Sequence, residues 1–65
     1  MYKIGNVLIN PEYLGRAELI FREDKNKWAI YLVFINHSQY GDSKYVYFDS
    51  KEAAMKEFND IYLNS

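Results

Sequence analysis

Trp28-Ala29-Ile30-Tyr31-Leu32-Val33-Phe34-Ile35 is a run of eight uncharged residues in a chain of only 65. At the strand period of two, Trp28, Ile30, Leu32 and Phe34 fall on one face, and Ala29, Tyr31, Val33 and Ile35 on the other. Both faces are apolar, and both require cover. A single helix covers one side of a small sheet, so the other side is left for a ligand, a partner or a second copy of the chain.

Length sharpens that demand. Sixty-five residues make one domain with one core. A chain of this size buries only about 60% of the surface it exposes when unfolded, and such a core rarely supplies more than ~3–5 kcal/mol. Natural small domains usually add a staple, but this chain has no Cys for disulfides and a single His, too few for a structural zinc. Oligomerisation is the common remaining option, and the two-faced strand at 28–36 offers a surface for it.

Charge excludes several function classes. Residues 1–27 carry five positive and four negative charges, residues 28–43 only Asp42, and residues 44–65 three positive and four negative. No basic stripe results, so phosphate-driven binding of duplex DNA has no electrostatic footprint, and no acidic surplus supports a nucleic-acid mimic. The segment Met1-Tyr2-Lys3-Ile4-Gly5-Asn6 lacks an apolar stretch of the export-signal kind, and no stretch reaches the roughly 18 apolar residues needed to span a bilayer. The expected location is the cytoplasm, with no membrane partner.

Element signals run in the order strand, strand, strand, strand, helix. Tyr2-Lys3-Ile4 and Val7-Leu8-Ile9 read as a short strand or two at residues 2–9, interrupted by the turn or bulge dipeptide Gly5-Asn6. Asn10-Pro11-Glu12-Tyr13 is a turn or a single helical turn, capped by Asn10. Residues 14–22 alternate Ala17, Leu19 and Phe21 with Arg16, Glu18, Ile20 and Arg22, a half-buried strand. The polar segment Glu23-Asp24-Lys25-Asn26-Lys27 predicts a hairpin loop before the strand at 28–36. A longer polar loop is expected over 36–43, then a strand at 44–48. Asp49 or Ser50 can cap a helix at about 50–63, where Ala54, Met55, Phe58, Ile61 and Tyr62 form one apolar stripe.

The expected fold is α+β, an antiparallel meander of three to four strands with one C-terminal amphipathic helix packed on one face. The inner face gathers Ala17, Leu19, Phe21, Ile30, Leu32, Phe34, Val46 and Phe48 against Ala54, Phe58 and Ile61. The outer face presents Arg16, Glu18, Ile20, Tyr31, Val33, Ile35, Tyr45 and Tyr47. It is too apolar for idle surface. Folding of the amino-terminal segment or of the long loop over it is one way to cover it.

Three classes of function compete for these residues. Catalysis would start from His37, the one residue titrating near neutrality, with Ser38, Asp42 and Ser43 on the same loop. Neighbours on one loop seldom hold nucleophile, base and orienting acid together, so no enzyme is expected. Acidic pairs such as Glu23-Asp24 or Asp42 with Asp49 match neither calcium-loop nor zinc spacing, and Gly5, Gly15 and Gly41 stand too far apart to cradle phosphate, so no metal or cofactor is expected. Single-stranded nucleic acid is the alternative. Tyr31, Tyr45 and Tyr47 beside Arg16 or Arg22 make a stacking platform with a cation, opposed by the net charge of −1 and by Val33 and Ile35, which cannot hydrogen-bond a base. Protein interaction uses the same residues more economically, because Tyr and Arg are enriched in interface cores and Val33 and Ile35 gain from exclusion of water. The candidate partner-binding set is therefore Tyr31, Val33, Ile35, Tyr45 and Tyr47, with Arg16 and Glu18 as a polar rim. A symmetric homodimer, through stacked outer faces or an edge strand, is the simplest closure.

The pattern Ile9-Asn10-Pro11-Glu12-Tyr13-Leu14 leading into two hairpin strands, then Tyr47-Phe48-Asp49-Ser50-Lys51-Glu52-Ala53-Ala54, resembles the short sheet-plus-helix proteins of Gram-positive bacteria and their phages. That resemblance implies a small regulator, inhibitor or accessory factor, with a host or bacterial protein as partner. Its motifs are signals of secondary structure and transfer no functional residue.

Overall fold

Gly5-Asn6 reverses the chain between two short strands, β1 (Tyr2–Ile4) and β2 (Val7–Ile9), which pair antiparallel as a hairpin separate from the main sheet. The computed structural model describes the backbone of residues 2–38 and 41–63, and their side chains apart from Tyr2, residues 36–38 and Tyr62. Gly5 is required at the turn for two reasons. Its φ of +58° lies in the left-handed region, and a Cβ there would stand 2.8 Å from Val46 Cγ1. A single 3-10 turn at Pro11–Tyr13 follows, with the Asn10 Oδ1 accepting from the Glu12 backbone N–H at 3.1 Å. Pro11 sits at its first position, where a missing N–H costs nothing.

The main sheet consists of β3 (Leu14–Arg22), β4 (Lys27–Ser38) and β5 (Gly41–Phe48), antiparallel in the order β3-β4-β5. Its registers confirm the expected sharing of faces. Leu19, Ile30 and Val46 form one cross-strand row, and Ala17, Leu32 and Lys44 the next. The charged tip between β3 and β4 is a tight turn closed by the Lys25 N–H donating to the Arg22 carbonyl and the Asn26 N–H to the Glu23 carbonyl, both at 3.2 Å. Asn26 there has φ +54°, a conformation Asn tolerates better than most side chains. The long loop expected over 36–43 is largely strand instead. β4 continues to Ser38 and β5 begins at Gly41, with Ser38 and Gly41 paired, while Gln39 and Tyr40 lie outside the described residues. The register slips between Val33 and Ser38, so β4 carries extra residues against β5. Polar side chains resemble a loop in sequence, but backbone pairing is indifferent to them.

Helix α1 (Lys51–Leu63) packs on the inner face against all three strands. Ser50 caps it, its Oγ accepting from the Ala53 N–H at 3.1 Å. Asp49, the other candidate cap, instead reaches Lys27 Nζ at 3.4 Å. Of the expected apolar stripe, Ala54 and Ile61 are buried and Phe58 packs on the core, but Met55 is 41% exposed. Tyr62 lies outside the residues with described side chains.

The core joins Ile30, Leu32, Phe34 and Val46 of the sheet and Ile61 of the helix to Ile4, Val7 and Ile9 of the amino-terminal hairpin. The hairpin was an expected candidate for covering the outer face. It lies on the inner face, beside the helix. The spacing of Ile4, Val7 and Ile9 gives it one apolar side while Lys3 and Leu8 turn outward, and that side joins the cluster of Ile30, Leu32, Phe34 and Val46. Ile4, Ile9, Ile30 and Leu32 are the largest fully buried side chains, each stabilising the fold by about 1.5–3 kcal/mol. Phe21, expected in the core, is 43% exposed and packs its ring against Trp28 at 5.5 Å, at the hairpin end of the edge strand β3. Lys51 Nζ lies 5.2 Å from the centroid of the Trp28 ring.

Candidate functional site

Strand alternation sends Tyr31 to the outer face, where the register places it between Glu18 of β3 and Tyr45 of β5. Its ring stacks on Tyr45 with centroids 4.6 Å apart and planes at 30°. Tyr47, two residues further along β5, continues the ladder at 6.1 Å and 17°. Such pairs add about 0.5–1.5 kcal/mol beyond the area they bury. The three tyrosines of the candidate set are thus one contiguous aromatic unit, and Tyr45 and Tyr47 remain exposed.

Arg22 completes the cluster from the end of β3. Its guanidinium carbon stands 4.4 Å from the Tyr45 ring centroid, and Nη1 donates to the Tyr47 hydroxyl at 3.3 Å. Nε and Nη2 donate to the two Asp24 oxygens at 2.9 and 2.7 Å, a bidentate pair across the start of the turn. These bonds hold the Asp24 carboxyl below the ordinary carboxylate value and raise Arg22 above its own. Lys25 brings a second cation to within 6.0 Å of the Tyr47 ring centroid. Both Arg16 and Arg22 were candidates for the cation beside the tyrosines, and the geometry selects Arg22. Arg16 instead meets Glu18 at 3.6 Å, an exposed pair of little energetic weight.

Val33 is half-buried beside this ladder and Ile35 is 62% exposed. Their position depends on Gly15, which sits in a register shift between Leu14 and Arg16. A Cβ at Gly15 would stand 2.5 Å from Ile35 Cγ2 and 3.1 Å from the Val33 carbonyl oxygen, so only glycine allows this approach. Ala29 is fully buried on the same face, in the cross-strand row with Ile20 and Tyr47. The sequence reading did not count it among core residues. Its small size between larger neighbours is the signal that could have identified it.

Among the described residues, those invoked for other chemistries do not converge. Asp42 and Ser43 are exposed near the start of β5, and the side chains of His37 and Ser38 lie outside those described. Asp24 is committed to Arg22 and Asp49 to Lys27. Among the described residues no three His, Cys, Asp or Glu side chains gather to hold a metal ion. Among them, too, no helix is long and apolar enough to cross a membrane. The chain matches no protein-family model, no curated protein and no solved structure.

Proposed function

We propose that this chain is a non-enzymatic protein-interaction module that self-associates through the outer face of its sheet. Tyr31, Val33, Ile35, Tyr45 and Tyr47 form the docking surface, and Arg16 and Glu18 its rim. One observation carries the reading. Both elements able to cover the sheet, α1 and the β1–β2 hairpin, pack on the inner face, leaving the tyrosine ladder, Val33 and Ile35 uncovered by them. Apolar and aromatic surface concentrated on one face of so small a domain gains most from being excluded from water.

The sheet edges favour the face over the edge as the point of contact. The Gly15 irregularity interrupts β3, and β5 carries Lys44 on its helix-covered side, two devices that discourage edge-to-edge pairing. Stacking of nucleic-acid bases is less well served. The Tyr45 ring already has Tyr31 and Arg22 against it, and Asp24 neutralises the cation. A module of this kind would act as a regulator or inhibitor by occupying protein surface, in keeping with the small bacterial and phage proteins its pattern resembles.

The test is a charge placed on the face. Val33→Lys is expected to shift the protein towards monomer in sedimentation velocity at micromolar concentration, with its far-UV circular dichroism unchanged. An unaltered sedimentation coefficient, or tight salt-dependent binding of a fluorescent oligonucleotide by the unmodified protein, would count against the proposal.

A further inference from the structure

No further inference is drawn: the strongest candidate, the outer-face surface patch where Arg22 and Lys25 border the Tyr45 and Tyr47 rings, belongs to the docking surface already described, with the guanidinium committed to Asp24, and nothing in the structure shows what covers it.

Discussion

The Arg22 guanidinium lies 4.4 Å from the centroid of the Tyr45 ring while Asp24 grips it from the side through two hydrogen bonds. The strand end, the turn and the edge strand β5 are thereby tied together on the face of the sheet opposite the helix. Neither residue makes this contact alone. Arg22 ends β3 at the turn, and Asp24 lies two residues on, where its carboxylate meets the guanidinium from the side.

Asp24 sets the pH range of that contact. Its pKa is depressed from 3.8 by the hydrogen bonds from Arg22, so the pair is fully formed at neutral pH and is lost only as pH falls below that ordinary value through the lowered one. The upfield ring-current shift of the Arg22 δ protons over Tyr45 should therefore hold from pH 7 to pH 4 and diminish in stronger acid. Asp24→Asn should reduce it at every pH. A shift that titrates near neutrality, or that ignores Asp24→Asn, would show that Asp24 does not position Arg22.

Gly15→Ala should destabilise the domain by about 1–3 kcal/mol, because the added methyl overpacks against Ile35 and the Val33 carbonyl. Combining it with Ile35→Ala should cost less than the sum of the two changes, since trimming Ile35 makes room. Urea denaturation of the four proteins measures this. Strict additivity would place the strain elsewhere.

Ile9→Ala should cost about 2–5 kcal/mol, comparable to the whole stability of a domain this small. The amino-terminal hairpin is then part of the single core. A loss below 1 kcal/mol, read from the urea midpoint, would instead describe it as an appendage.

Ser50→Ala should remove about 1 kcal/mol by leaving the Ala53 N–H without its cap. Asp49→Ala should change stability by no more than ~0.5 kcal/mol, since its pairing with Lys27 is exposed. The reverse order would make Asp49 the functional cap.

Periodicity made the frame of this fold legible. Alternation through Ala17, Leu19, Ile30, Leu32 and Val46 located the inner face, and the three- and four-residue spacing of Ala54, Phe58 and Ile61 located the helix stripe, because burial repeats at the period of the element. Ile4, Val7 and Ile9 were visible as strand residues, but which face they would cover depends on contacts between distant segments. Phe21 shows the opposite failure. Its place in the alternation is correct, yet it sits at the hairpin end of an edge strand, and periodicity carries no information about how completely a residue there is covered. The tyrosine ladder followed from register. The choice of Arg22 over Arg16 did not, since it turns on the path of the 23–26 turn that brings Asp24 round to the guanidinium.

The central claim is that the outer face is closed by a second copy of the chain. Sedimentation equilibrium of the unmodified protein across micromolar concentrations tests it most directly. A mass approaching twice that of the protomer, falling towards the single value on dilution and with Val33→Lys, is the expected result, and a single protomer mass throughout that range would contradict it.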